Sequence, residues 1–212
     1  MGAKSYTRRE LMGGLIQELE YLEIPNGSVC FASDYIPNGQ DNVIQCKFKF
    51  DGYINESGSI YHSWYWARPS GGDGYPNYRI MSAGAVGYIT VQNGRRGNYV
   101  SQNRVPVTKG SIYEFYIYKN QYFTINGTRY TYTNSNPTGT NDCALYIIDT
   151  NRRFKGRFYY LKWWKGDTLV LDWVPAIVNG EICIYDRLNK KKLTRSGAGR
   201  VMPGPVKRTF II

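Results

Sequence analysis

The chain has 212 residues, 42% hydrophobic and 16% aromatic, with a formal net charge of +11. That apolar fraction excludes a disordered chain, and the length suits one large domain or two small ones. No apolar run reaches about 18 residues and no apolar segment follows the basic N-terminus, so neither a membrane span nor a signal peptide is expected.

In chain order, residues 1–20 come first. They mix charged and apolar residues in a loosely helical order, broken at Gly13-Gly14. They read as an N-terminal arm with one short helix, or equally as a segment packed on the domain edge. From Val29 onward the pattern is strand after strand. In "NVIQCKFKF" the residues Ile44, Cys46, Phe48 and Phe50 alternate with Gln45, Lys47 and Lys49, which predicts a half-buried strand. "YHSWYWA" predicts another, and "YRIMSAGAVGYITVQNG" two more with a kink at Gly84.

In "YFTINGTRYTYT" the pair Asn126-Gly127 predicts a type I′ hairpin, with Phe123 and Ile125 opposite Tyr130 and Thr128. "CALYIID" follows, then "GRFYYLKWWKGDTLVLDWVPA" as two strands around Lys165-Gly166-Asp167. Trp163 and Trp164 fall on opposite faces of one strand, one for the core and the other for the surface or an interface. About twelve short strands with regular turn signals predict an all-β sandwich or barrel. No internal repeat or linker divides residues 21–200, which read as one domain. A tail, 201–212, ends in Phe210-Ile211-Ile212, apolar enough to dock on the chain itself or on a partner.

Several chemistries lack their residues. No phosphate-binding glycine loop and no G-x-S-x-G elbow occurs. The four cysteines, Cys30, Cys46, Cys143 and Cys183, form no C-x-x-C pair, and His62 is the sole histidine. No metal site and no cofactor is therefore expected, and the thiols read as buried and free. Three glycosylation-type sequons, at Asn26, Asn55 and Asn126, fit loop chemistry. A glycosidase needs two carboxylates roughly 5–10 Å apart. The acidic residues here are scattered, only "ELEYLE" groups three, and no catalytic residue is assigned.

The charge is uneven. Residues 1–151 carry 13 Lys/Arg against 12 Asp/Glu, whereas residues 152–212 carry 14 against 4. Such a field favours an anionic partner: nucleic acid, an acidic glycan or an acidic protein surface. Nucleic acid is the least favoured, because no DNA- or RNA-binding motif accompanies the charge. The candidate residues for an anionic partner or interface are Arg95, Arg96, Trp164, Arg187, Lys190, Lys191, Lys192 and Arg195. The candidate carbohydrate site is "WYWARPSGGDGYPNYR". Trp64 and Trp66 share a strand face there, and aromatic faces stack on sugar rings. Tyr75 lies in the same loop, and Arg68, Asp73, Asn77 and Arg79 supply hydrogen-bonding groups. Core packing of both tryptophans is the competing reading.

The stretch Thr168–Gly199 resembles the closing signature of concanavalin A-like (laminin G-like) jelly-roll domains of tailed-phage virion proteins and gut bacterial surface proteins. That signature is a strand ending L-x-R-D-F/W-I/V-P, followed by a glycine, a Y-D pair and S-G-x-G. Here Leu169, Asp172, Trp173, Val174 and Pro175 match the first part. Gly180, Tyr185, Asp186, Asn189, Lys192, Ser196, Gly197 and Gly199 match the second, and Leu171 departs from the usual Arg. Tyr21-Leu22-Glu23 and Tyr35-Ile36-Pro37-Asn38 are similar to the family's opening.

The resemblance covers roughly residues 20–200 and implies a two-sheet antiparallel jelly roll, with glycan binding or a place in virion architecture. It implies a non-enzymatic virion surface protein, on head or tail, assembled in the host cytoplasm. Its partners would be other virion proteins and a host surface polysaccharide, and it could act as an oligomer. A carbohydrate-binding module without a virion role is the alternative, with a polysaccharide hydrolase behind it. Asp172 to Pro175 and Tyr185-Asp186 are expected to lock the last strands onto the sandwich.

Overall fold

The structure is a computed structural model that describes residues 14–25, 29–37, 41–51, 63–69, 79–82, 87–95, 98–137, 143–147 and 155–211. The described residues form twenty strands. The first eight are β1 (Leu15–Leu19), β2 (Leu22–Ile24), β3 (Cys30–Ala32), β4 (Asn42–Phe50), β5 (Ser63–Pro69), β6 (Arg79–Ser82), β7 (Tyr88–Arg95) and β8 (Asn98–Pro106). Then come β9 (Ile112–Tyr118), β10 (Tyr122–Ile125), β11 (Thr128–Thr131), β12 (Asn134–Pro137), β13 (Cys143–Ile147) and β14 (Gly156–Lys165). The last six are β15 (Thr168–Val178), β16 (Glu181–Asp186), β17 (Lys191–Lys192), β18 (Thr194–Ser196), β19 (Met202–Pro203) and β20 (Val206–Ile211).

These strands make two antiparallel sheets. The first runs β11-β10-β9-β4-β14-β15-β1-β20, with β16, β17, β2 and β19 attached beside that path. The second runs β12-β8-β7-β6-β5-β13-β3-β18. One apolar core draws on both: Ile44, Phe48, Phe115 and Trp163 from the first sheet meet Phe31, Ile80, Val91 and Leu145 from the second. The fold is the expected all-β, two-sheet antiparallel sandwich. The segment Leu15–Leu19, which reads as helical in sequence, is a strand held between β15 and β20. Its sequence leaves the choice open because five residues are too short for periodicity to decide, and pairing on both edges decides it. The kink expected at Gly84 lies outside the described residues.

The local patterns explain the main elements. In β4 the residues Ile44, Cys46, Phe48 and Phe50 are buried, and Gln45, Lys47 and Lys49 alternate with them on the outer face. Asn126 and Gly127 have φ of 48° and 83°, the all-positive pair that a type I′ turn needs. They set Phe123 opposite Tyr130, with the two rings stacked at 5.3 Å. A Cβ at Gly127 would meet nothing within 4 Å, so its requirement is conformational only. Gly127→Val is therefore expected to lower stability by about 1–2 kcal/mol through left-handed backbone strain. Urea unfolding should show a lower midpoint at unchanged slope.

Pro175 lies inside β15 without breaking it. Pairing of β15 with β14 ends at Trp173, and pairing with β1 starts at Ala176. On the other edge Pro175 stands opposite Ile184, whose carbonyl accepts from Leu193 rather than from β15. The missing N–H thus falls in a gap between two neighbours, where proline costs no ladder bond.

Candidate functional site

The outer face of the first sheet carries an unusual set of side chains. A buried row crosses it from Phe123 through Ile117, Ile44 and Trp163 to Leu171. One residue out of step runs a polar row in continuous register: Thr124, Tyr116, Gln45, Lys162, Asp172. Direct cross-strand partners share a face, so five strands place these five residues in one outward line.

At one end stands a ladder of tyrosines. The rings of Tyr116 and Tyr118 are 6.3 Å apart and inclined by 19°, and those of Tyr118 and Tyr122 are 5.3 Å apart and inclined by 28°. The Arg129 guanidinium lies 4.0 Å from the centroid of Tyr122, on the far side of the hairpin. All three tyrosines are half-buried. The Tyr116 phenol keeps its proton at neutral pH. Burial raises the Tyr116 pKa first, and Tyr122 and Tyr118 beside it raise it further.

A second pair of tyrosines reaches the face by a bulge. Phe158, Leu161 and Trp163 are all buried, and the spacing from 158 to 161 breaks the period of two. The register against β4 shifts between Phe158 and Tyr160, which turns both Tyr159 and Tyr160 outward. Tyr160 donates a short hydrogen bond to Glu114, and Gln45 Nε2 donates to the same carboxylate oxygen at 3.0 Å. Burial raises the Tyr160 pKa, and Glu114 adds to it. Lys47 lies over the Tyr159 ring, 5.4 Å from its centroid.

At the other end is an ion cluster. Arg187 grips Asp172 with two bonds, Nε to Oδ2 at 2.9 Å and Nη2 to Oδ1 at 2.8 Å. It also reaches Glu18, which is 2% exposed and pairs with Arg208 at 2.6 Å. Burial opposes the Arg187 charge, and the two carboxylates outweigh it, so its pKa is raised. Between this cluster and the tyrosines lies an open cleft of about 370 Å³, lined by Lys47, Lys162, Tyr159 and Tyr160 among others. Such a volume falls in the range of small-ligand sites, roughly 300–1,000 Å³. Among the described residues no three His, Cys, Asp or Glu are grouped to hold a metal ion.

Of the residues singled out in sequence, Arg187 lines this cleft, where it is held by Asp172 and Glu18, and the other described ones fall elsewhere. Trp64, Trp66 and Arg68 lie in β5 and Arg79 in β6, both strands of the second sheet. The register sets Trp66 directly between Arg79 and Tyr146, one residue out of step with buried Ile80 and Ile147. Asp73, Tyr75 and Asn77 lie outside the described residues, as do Arg96 and the sole histidine, His62. Arg95 ends β7, in register with Asn98.

Trp163 is fully buried with its indole N–H on Asn42, and Trp164 is half-buried. Of the lysine run, Lys191 pairs with Asp34 at 2.6 Å and Lys192 with Glu181, while Lys190 sits exposed in a turn with φ of 53°. Arg195 donates to the Gly199 carbonyl at 2.8 Å.

No family model matches the chain, and no curated protein matches it. Among solved structures the chain is similar to a candidate carbohydrate-binding protein from Bacteroides ovatus. The two share 12% identity with a TM-score of 0.50, over 92% of this chain and 61% of that one. The likeness is one of fold. The chain spans about 61% of the length of that protein.

Neither the tyrosine ladder nor the cleft stood out in sequence. A signal for the ladder was present: Tyr116 and Tyr118 occupy the polar positions of a strand whose apolar positions are Phe115 and Ile117. Aromatic residues on the outward face of a sheet are the anomaly that deserves a functional reading.

Proposed function

We propose that this chain binds carbohydrate without turning it over, through the outer face of its first sheet. The tyrosine ladder of Tyr116, Tyr118 and Tyr122 carries this reading. Half-buried rings on a rigid sheet offer apolar faces to a sugar and cost little side-chain entropy on binding. Gln45, Lys162 and Arg129 beside them supply donors for hydroxyls. The Bacteroides neighbour supports the reading at the level of fold. Binding is favoured over hydrolysis because three carboxylates of this face are engaged, Glu114 by Tyr160 and Gln45, and Asp172 and Glu18 by Arg187. Glu20 at the cleft edge is thus left without a free second carboxylate among them to form an acid–base pair.

Calorimetric titration with the best ligand from a glycan array tests the site. Tyr118→Ala and Tyr122→Ala are each expected to weaken binding about tenfold, equivalent to ~1.4 kcal/mol, with folding checked by thermal melts. Loss of binding in Trp66→Ala but not in Tyr118→Ala would move the site to the second sheet. The finer reading is a module displayed on a phage particle that engages a host surface polysaccharide, which the likeness of Thr168–Gly199 to virion jelly rolls supports. Mass spectrometry of purified particles tests that role, and absence of the chain from them overturns it.

A further inference from the structure

We propose that the cleft beside the tyrosine ladder is an anion subsite that takes the charged group of an acidic sugar, with Lys162 and Lys47 as its two cations. The proposal rests on the carbohydrate-binding reading and names the class of glycan.

Its basis is a pair of lysines denied their natural partners. Lys162 stands in direct register with Asp172, and Lys47 with Glu114. Opposite charges at facing positions on one side of a sheet normally pair. Here both carboxylates are turned elsewhere. Asp172 is held by two bonds from Arg187, and Glu114 accepts from Tyr160 and Gln45. Among the described residues neither Lys162 nor Lys47 makes an ion pair; the Lys47 ammonium lies over the Tyr159 ring.

The remaining charge does not cancel them. Glu18 lines the cleft but is 3% exposed in its side chain and faces Arg187, Arg208 and, at 3.8 Å, Lys207. Three cations against Glu18 and Asp172 leave that cluster positive. Glu20 also lines the cleft, on an exposed strand junction. Glu114 adds its own negative charge, since its hydrogen bonds come from neutral groups. The five cations Lys47, Lys162, Arg187, Arg208 and Lys207 still exceed the four carboxylates of Glu18, Asp172, Glu20 and Glu114 by one. Two half-buried ammonium groups that make no ion pair among the described residues, in a cleft walled by Tyr159 and Tyr160, raise the local affinity for an anion. The cleft shares the line Tyr116–Gln45–Lys162 with the ladder, so one oligosaccharide can stack on the tyrosines and place a charged group between the lysines.

The test uses the full chain and an array of neutral, uronate-bearing and sulfated polysaccharides, followed by titration of the best of each class at 50 and 300 mM NaCl. Preference for an acidic class is expected, with at least tenfold loss at the higher salt. Lys162→Gln and Lys47→Gln should each weaken the acidic ligand about tenfold and leave a neutral ligand within twofold. Tyr118→Ala should weaken both. The tighter of the uronate and sulfate ligands identifies the charged group.

Neutral glycans bound with no acidic preference, or acidic binding indifferent to both lysine variants, would overturn the subsite and leave the tyrosine platform standing. Absence of any glycan binding would overturn the platform as well. Matching thermal melts of the lysine variants and the parent exclude misfolding as the cause of a loss.

Discussion

Asp186→Ala is expected to destabilise the protein by about 3–5 kcal/mol. Asp186 is fully buried, and its carboxylate closes the turn after β16. Oδ1 accepts from the backbone N–H groups of Leu188 and Asn189 at 3.0 and 3.1 Å. Oδ2 accepts from the Trp173 indole at 3.1 Å and the Asn189 amide at 2.7 Å. Alanine would strip the buried Trp173 indole and the turn N–H groups of Leu188 and Asn189 of their acceptor, while the Asn189 amide keeps the Val170 carbonyl at 3.2 Å. A buried unsatisfied donor costs about 1–3 kcal/mol, and the open turn adds to it less than additively. Asp186→Asn keeps a single acceptor oxygen and turns an NH2 towards two of the donors, so most of the loss should persist. Urea unfolding with tryptophan fluorescence reads both stability and the Trp173 environment. A loss below about 1 kcal/mol would show that water replaces the carboxylate.

Arg187→Met is expected to cost about 3 kcal/mol, because it strips Asp172 of its bidentate partner. The side chain of Asp172 is 14% exposed, and Arg187 is the one cation paired with it among the described residues. Glu18 suffers less, since Arg208 remains at 2.6 Å. Breaking a desolvated ion pair from one side leaves an uncompensated charge, and that penalty exceeds the net worth of the pair. Arg187→Met combined with Asp172→Asn should therefore recover part of the loss. A double-mutant cycle read by denaturant unfolding measures the coupling. Additive losses would sink this account. The pair also joins the ends of the domain: Arg187 follows β16, while Glu18 lies in β1 and Arg208 in β20.

This cluster belongs to a wider pattern of charge. The last 61 residues hold most of the positive charge, which in sequence points to an external anion. In the fold, Arg157 pairs with Glu23 at 3.0 Å, Lys191 with Asp34, and Arg187 and Arg208 with Glu18. Each pair joins the last third of the chain to its first 34 residues. The reason is topological: β1 pairs with β15 and β20, β2 with β14 and β19, and β3 with β18. Part of the asymmetry is thus internal complementarity. The exposed pair of Lys191 and Asp34 contributes little to stability, roughly 0–1 kcal/mol, and is open to competition from salt or ligand.

The sequence by itself determined the elements whose signals are local. Alternation in "NVIQCKFKF" marked β4 and its buried face, Asn126-Gly127 set the hairpin and its register, and the stretch after Thr168 marked the closing strands. The first two depend on a period of two or on a turn of two residues and the third on a signature carried by contiguous residues, so neighbours in the chain suffice. The role of Asp172 to Pro175 and Tyr185-Asp186 was legible as a lock. The bonds that make it, from Trp173 and Asn189 to Asp186 and from Arg187 to Asp172, needed the fold.

Only the tertiary structure decided where the candidate site lies. The bulge at Tyr159 breaks the alternation, so the sequence period assigns Tyr160 to the wrong face. The line Thr124–Tyr116–Gln45–Lys162–Asp172 is drawn from five strands whose order, β10-β9-β4-β14-β15, brings residues 45 and 162 together. Register between strands so distant in sequence is set by packing of the whole core, and no local pattern encodes it. The same pairing leaves Lys162 and Lys47 beside carboxylates already engaged by others, and that arrangement turns an ordinary outer sheet face into a candidate site for an acidic glycan.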